Sequence, residues 1–583
     1  MSKKIQSPMP GIVTQILVEA GSQIVKGQDL IIIEAMKMEN AIKAPSDGVI
    51  SAIHIKMGDL LEQDEMLLTY REQEVEENKK EEVVEVSKDK AGLDELRERR
   101  YQLSDAARPA AVEKRRKKGR LTAREGVALL TKGGSFREYG SLIIAAQRSR
   151  RSEEDLIANT PADGLVAGVA EVDMGHSSTQ AVVMAYDYTV LAGTQGTMNH
   201  MKMDRLIEVA HDKQLPIVLF AEGGGGRPGD VDLNTIAGLF ISTFTRYAGL
   251  RDVVPTVSIV TGYCFAGNAA LAGSSDLIIG TKDISIGMGG PAMIEGGGLG
   301  KFHPKDVGPA DVQTANGVID VLVDDDTAAI KVAQRYLGYY YDDHSGYKMH
   351  DQQLLQSIIP EQRKRTFDIK GLIETLCDQD SVLHIQDAYA PGMITCIGRI
   401  SGKAIGIIAN DSRHEAGAIT ADCARKAATM IDRCHRYGLP LLSLIDTPGI
   451  MVGPEGESQG TVKAAGELFV GGARLKTPLI SVVVRRAYGL GAMAMMGGGA
   501  HRATATVAWP TAEFGAMGIE GAVQLGYRKE LQSIEDPVKR KATYDQMVEE
   551  TYRRGRAINA ATIFEIDEVI EPRETRDWIV SLI

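Results

Sequence analysis

Gly262-Tyr-Cys-Phe-Ala-Gly-Asn-Ala269 and Arg486-Ala-Tyr-Gly-Leu-Gly-Ala-Met493 fall opposite one another when the chain is laid on itself with an offset of 224 residues. The same ungapped offset brings Gly168 onto Gly392, Asp187 onto Asp411 and Ala192-Gly193 onto Ala416-Gly417. It also brings Lys202 onto Lys426, His211 onto His435, Leu215-Pro216 onto Leu439-Pro440, and Gly225 and Gly229 onto Gly449 and Gly453. A self-similarity of this length implies two domains of one fold. Residues 182–186 and 405–409 are apolar runs, and 217–220 and 441–445 are short runs of buried-strand type. Between them, 198–213 and 421–437 carry helical periodicity and end before Leu-Pro. Strands alternating with helices place both copies in the α/β class. His211 and His435 fall in the last helical turn, where a cation favours the helix dipole, and read as structural.

A smaller repeat occupies the N-terminus. An offset of 37 residues overlays Pro8 on Pro45, Gly11 on Gly48, Val13 on Ile50, Ile16 on Ile53 and Gly21 on Gly58. Apolar–polar alternation with glycine turns predicts two similar β-units. At their junction stands Glu34-Ala-Met-Lys-Met-Glu-Asn40, with Lys37 on a hairpin tip. This segment resembles the attachment site of biotinyl carrier domains. The resemblance implies biotin coupled to Lys37 by a biotin protein ligase, with Met36 and Met38 flanking the site.

Between Arg71 and Lys90 thirteen of twenty residues are charged. Such a run buries no core and reads as a solvated linker. As a flexible coil it has an end-to-end distance of roughly 25 Å. Beyond it lies Lys114-Arg-Arg-Lys-Lys118, whose Arg115, Arg116 and Lys117 offer a landing place for phosphates or, equally, a solvated helix face. The net charge of −12 argues against nucleic acid as the main partner. The five cysteines form no metal-type spacing, so no metal is expected, and they suggest a reducing cytosol. No signal peptide and no uninterrupted apolar run of membrane-spanning length is visible, so the expected location is cytoplasmic. Gly296-Gly-Gly-Leu-Gly-Lys301 lacks the spacing and the Ser/Thr of a nucleotide-phosphate loop.

Several segments carry a second resemblance: Gly119-Arg-Leu-Thr-Ala-Arg124, Gly134-Ser-Phe136, Gly417-Ala-Ile-Thr420, Asp446-Thr-Pro-Gly-Ile-Met-Val-Gly-Pro-Glu455, Arg486-Ala-Tyr-Gly489, Trp509-Pro-Thr-Ala-Glu513 and Met517-Gly-Ile-Glu-Gly521. In these, residues 112–583 resemble the carboxyltransferase component of acyl-CoA carboxylases, the propionyl-CoA and acetyl-CoA carboxylase β-type family. The implied fold is two tandem crotonase-like domains behind a small all-β, flattened-barrel carrier. The implied layout is a biotinyl carrier (1–70), a linker (71–90), a domain on the acyl-CoA side (91–345) and a domain on the biotin side (346–583). The implied reaction moves a carboxyl group from carboxybiotin to the α-carbon of an acyl-CoA. Two backbone oxyanion holes would serve it, placed by position at Ala266-Gly267 and Leu490-Gly491. Fixed N–H donors aimed at a developing oxyanion lower such a barrier by several kcal/mol.

The family has glycine where this chain has Ala266 and Leu490, so the freedom of glycine is expected to be lost there. Glu222-Gly-Gly-Gly-Gly-Arg227 replaces the familiar Asp-Ser-Gly-Gly-Ala-Arg. Arg227 is a candidate ligand for a carboxylate or phosphate, against a structural ion pair. Ala492 and Met493 occupy the positions that shape the acyl pocket in the family. A separate biotin carboxylase subunit is expected to load biotin, and a dimer-based homo-hexamer is the implied assembly, with no membrane partner. The alternative is a biotin-dependent decarboxylase of glutaconyl-CoA or methylmalonyl-CoA, which runs the same transfer in reverse beside a membrane protein.

Overall fold

The computed structural model describes residues 2–73, 91–232 and 238–583. Most of the charged linker expected at 71–90 therefore lies outside the described residues. The chain divides into two compact units, Met1–Ala91 and Gly92–Ile583.

The first unit is two four-stranded antiparallel sheets. One carries Ser2–Gln6, Met66–Glu72, Gly48–Ile53 and Gln23–Ile24 in that order; the other carries Met38–Lys43, Asp29–Ala35, Gly11–Ile16 and Leu60–Leu61. The 37-residue repeat maps Gly11–Ile16 onto Gly48–Ile53, Gln23–Ile24 onto Leu60–Leu61 and Asp29–Ala35 onto Met66–Glu72, end for end. Equivalent strands sit in opposite sheets, so each sheet is built from both copies. Alternate residues such as Val13, Ile31, Ile33, Ile50 and Leu68 point inward and make one core.

In the second unit the larger repeat becomes two mixed sheets. The first orders Val321–Val323, Leu277–Thr281, Thr256–Val260, Ile217–Phe220, Ser178–Tyr186, Leu165–Asp173 and Arg137–Glu138. An antiparallel hairpin at 165–186 leads into parallel strands. The second sheet has the same plan, from the hairpin Met393–Ile400/Lys403–Asn410 into the parallel strands Leu441–Thr447, Leu479–Tyr488 and Ala505–Ala508. The helices Thr197–Lys213 and Ala421–Tyr437 match end for end under the offset. Every residue of Leu441–Thr447 is buried, as expected of a parallel strand covered on both faces. Thr420 caps the second helix by accepting from Cys423 N–H, and Gly438 ends it in the left-handed region.

The two halves share an apolar core, and a buried polar cluster lies at their joint. Asp276 receives Arg436 Nη1 at 2.6 Å, Tyr437 Oη at 2.5 Å and the Thr256 N–H at 2.9 Å. Arg436 and Tyr437 end the helix of the second half, while Asp276 belongs to the first. Among the described residues no helix is long and apolar enough to cross a membrane.

Candidate functional site

In both halves, two glycine-bearing loops meet beyond the carboxyl ends of the parallel strands. In the first half, Glu222–Arg227 follows the strand Ile217–Phe220, and Ala266 leads into the helix Gly267–Gly273. In the second, Pro448–Gly453 follows Leu441–Thr447, and Tyr488 leads into the helix Gly489–Met495.

The hydrogen bonds fix where the free N–H groups point. Gln195 N–H donates to Gly225 O at 2.7 Å, and Arg227 N–H donates to Gln195 O at 2.8 Å. No peptide is cis, and in a trans peptide the N–H points away from its carbonyl. With Gly225 O held by Gln195, the Gly226 N–H faces the open side of the loop and has no partner among the described residues. The second half repeats this arrangement. Ile419 N–H donates to Gly449 O at 3.0 Å and Met451 N–H to Ile419 O at 2.9 Å, which leaves the Ile450 N–H free. The first-turn N–H groups of Gly267, and of Leu490 and Gly491, are likewise unbonded among the described residues.

The paired loops touch. A Cβ on Gly491 would lie 2.7 Å from the Gly449 backbone and 2.9 Å from Ile450 N. One on Gly267 would lie 1.9 Å from Gln195 Oε1, and one on Gly225 would lie 3.5 Å from Gly267 N. Each half thus brings its two loops together beside free N–H groups: Gly226 and Gly267 in the first half, and Ile450, Leu490 and Gly491 in the second. Gly226 and Ile450 were not among the donors expected from the sequence. The offset that aligns Gly225 with Gly449 pairs them as well, but the direction of a peptide is set by its hydrogen bonds and is not written in residue types.

Three expected site residues are placed differently from expectation. The Ala266 N–H donates to Gly287 O at 3.1 Å and is no free donor. Ala266 nonetheless takes the backbone expected only of glycine, with φ 50° and ψ −120°. Arg115 does not face solvent: its guanidinium donates to both carboxylate oxygens of Glu222, at 3.1 and 2.6 Å, and also to Leu121 O. That pair ties the basic helix Pro109–Arg116 to the first glycine loop. Arg116 and Lys117 do face outward, pairing with Glu125 and Glu113. Arg227, read as a ligand or a structural ion pair, makes the ion pair. It is buried between Asp163 and Asp230 and donates to Thr194 O at 2.7 Å. Burial lifts the Asp163 carboxyl to about 6 even against the Arg227 charge. Ala492 is turned into the core, whereas Met493 is 43% exposed.

A further ionic cluster braces the loop Pro448–Gly453 of the second half. Asp446 receives Arg485 Nη2 at 2.6 Å and Arg486 Nε at 2.7 Å, and Arg486 Nη2 reaches Ala416 O at 2.8 Å. Burial opposes ionisation of Asp446, but the two guanidiniums outweigh it and hold its carboxyl below the usual range.

In the first unit, Lys37 stands at the tip of the hairpin Asp29–Ala35/Met38–Lys43, in a two-residue turn. Met36 and Lys37 both have positive φ, 54° and 66°, as a type I′ turn requires. Met36 is 98% and Met38 70% exposed. An amine so presented accepts a group through an amide bond without touching the core, which fits biotin.

The carboxyl transferase domain family matches residues 114–582, and the biotin-requiring enzyme family matches residues 3–69. The chain is 28% identical over 506 residues to the propionyl-CoA carboxylase carboxyltransferase subunit of Haloferax mediterranei, covering 84% of this chain and 95% of that protein. It is 28% identical over 501 residues to the methylmalonyl-CoA carboxyltransferase 12S subunit of Propionibacterium freudenreichii subsp. shermanii, covering 84% and 93%. Among solved structures, a single-chain, multi-domain long-chain acyl-CoA carboxylase superposes with a TM-score of 0.82 at 46% identity. That match takes in 100% of this chain but only 56% of the length of that carboxylase. The hexameric transcarboxylase 12S, with methylmalonyl-CoA and methylmalonic acid bound, superposes with a TM-score of 0.75 at 27% identity, covering 84% and 94%. The chain belongs to the carboxyl transferase domain family and joins to it a domain of the biotin-requiring enzymes: it is a biotin-dependent carboxyltransferase with two tandem crotonase-like domains.

Proposed function

We propose that this chain is the carboxyltransferase and carrier component of an acyl-CoA carboxylase, with biotin on Lys37 and an acyl-CoA as carboxyl acceptor. The observation that supports this most directly is the duplicated pair of free N–H donors. Removing a proton from the α-carbon of an acyl thioester drives charge onto the thioester oxygen, and preorganised donors at that oxygen stabilise it without reorganisation. Gly226 and Gly267 are assigned this role on the acyl-CoA side, residues 91–345. Biotin carrying a carboxyl group would, when bound, supply that group and a ureido oxygen on which charge collects. Ile450 and Gly491 are assigned to that oxygen, on the side of residues 346–583. Arg115–Glu222 holds one loop and Arg485–Asp446–Arg486 the other, so the donors keep their places as charge develops.

Arg116 and Lys117, which face outward in their pairs with Glu125 and Glu113, are assigned to the phosphates of the CoA, and Met493 and Leu490 are exposed apolar side chains beside the biotin-side donors. The relatives named above support carboxylation over a decarboxylase role. ATP-dependent loading is assigned to a separate biotin carboxylase subunit, attachment of biotin to a ligase, and the assembly to six chains by likeness to the 12S protein.

Two variants test the division of labour. Gly491→Ala drives a Cβ into the Gly449 backbone, and Gly267→Ala drives one into Gln195. Alanine keeps the N–H but the clash displaces it, and a misplacement of about 1 Å costs on the order of 10²-fold in rate. Gly491→Ala is expected to slow both full transfer and biotin-side decarboxylation measured without acyl-CoA. Gly267→Ala is expected to slow only transfer. Equal behaviour of the two folded variants in the assay without acyl-CoA would overturn the assignment.

A further inference from the structure

One buried side chain touches both walls of the acyl-side pair. Asn268 is fully buried in the first turn of the helix Gly267–Gly273, next in sequence to the donor Gly267. Its Oδ1 accepts the Gly225 N–H at 3.0 Å. Its Nδ2 faces Gly193 O and Glu222 O, both at 3.4 Å. Gly225 is therefore held at both ends: its N–H by Asn268 and its carbonyl by the Gln195 N–H. Because the Gly225–Gly226 peptide is planar and trans, fixing the Gly225 carbonyl aims the Gly226 N–H. Since Asn268 also rides on the helix that begins with Gly267, a single side chain links the positions of the two donors.

The other half does without this link. The equivalent of Asn268 is Ala492, whose methyl is buried and makes no such bond. There the Gly449 N–H goes instead to Thr447 Oγ1 at 3.1 Å, within its own loop. The Gly225 N–H is tied across to the helix, whereas the Gly449 N–H is tied within its own loop.

We propose that Asn268 is a positioning residue of the acyl side, setting the spacing and direction of the Gly226 and Gly267 donors against the thioester oxygen. This rests on the reading of those donors given above. The competing explanation is that Asn268 only satisfies buried backbone groups, in which case its loss costs stability and nothing specific to the acyl group.

The test uses the full chain, in wild-type form and as Asn268→Ala and Asn268→Ser. Serine keeps a polar group but is too short to reach Gly225. The first readout is the carbonyl NMR shift of carbonyl-labelled propionyl-CoA on binding, which reports polarisation by the donors and needs no turnover. The second is the ratio of acyl-CoA-dependent transfer to biotin-side decarboxylation. A misplacement of about 1 Å costs on the order of 10²-fold in rate. The variants are expected to lose most of the carbonyl shift. Their transfer kcat should fall by roughly that factor, with KM for the acyl-CoA nearly unchanged and biotin-side decarboxylation retained. If Asn268→Ala does not fold, Asn268→Ser carries the test. A carbonyl shift equal to wild type in a folded variant, or equal loss in both reactions, would overturn the proposal. Absence of any shift in the wild type would instead sink the donor reading itself.

Discussion

Ala266 shows what a single residue can hold against its own preference. Positive φ at a side chain bearing a Cβ costs roughly 1–2 kcal/mol, and Ala266 accepts it at 50°. The strain sits one residue before a free N–H donor, where unusual backbone is expected to serve function. Ala266→Gly should therefore raise stability by about 1 kcal/mol in urea unfolding and leave transfer intact. A loss of stability would mean that the methyl packs better than its φ suggests. Arg227 makes the opposite case. With Asp163 and Asp230 both buried against it, Arg227→Ala leaves carboxylates without a partner and should cost about 3–5 kcal/mol in the same measurement. A variant of unchanged stability with a raised KM would return Arg227 to the role of substrate ligand. Neither ion pair could be read from neighbouring residues. Asp163 lies 64 positions from Arg227, and Glu222 lies 107 from Arg115, so only the folded chain joins them.

Secondary structure elements were far more legible than site residues, and the duplications are the reason. Each strand or helix of one copy had a second instance to agree with. The predicted 198–213 and 421–437 became Thr197–Lys213 and Ala421–Tyr437. The 37-residue repeat returned its strands end for end, and the Lys37 tip stands where the hairpin required it. That tip carries its own prediction. Met36 is almost wholly exposed and sits in a turn that prefers asparagine or glycine. Met36→Asn should not lower the thermal stability of the first unit, yet avidin capture should fall, because the methionine faces the ligase and not the core. A drop in stability with unchanged capture would assign Met36 to the fold. Lys37→Arg should fold as wild type and lose avidin capture completely, while retained capture would place biotin elsewhere.

At the scale of the whole molecule, the two α/β halves share one apolar core, with Asp276 buried at their joint. Its carboxylate is buried against Arg436 and Tyr437 across the joint. Asp276→Ala removes the buried partner of Arg436 and Tyr437, leaving Arg436 its pair with Asp432 at 2.9 Å, and should cost about 3 kcal/mol. In calorimetry, the single transition expected for residues 92–583 should broaden or split in two. A sharp, unshifted transition would show that the halves are held by their apolar contacts alone. The duplicated plan was legible from the paired glycines, but the joint was not, since the offset aligns the halves without saying which faces meet.

Carriage of the carboxyl group on the chain's own Lys37, to and from an acyl-CoA, is tested most directly by running the transfer backwards. Biotinylated chain, with no ATP and no other subunit, is mixed with malonyl-CoA or methylmalonyl-CoA radiolabelled in the free carboxyl group, then captured on avidin. Label is expected on the captured wild-type protein and none on the Lys37→Arg protein, recovered through an affinity tag. Wild-type protein that carries biotin but takes up no label from either thioester, or equal label on the Lys37→Arg protein, would contradict it.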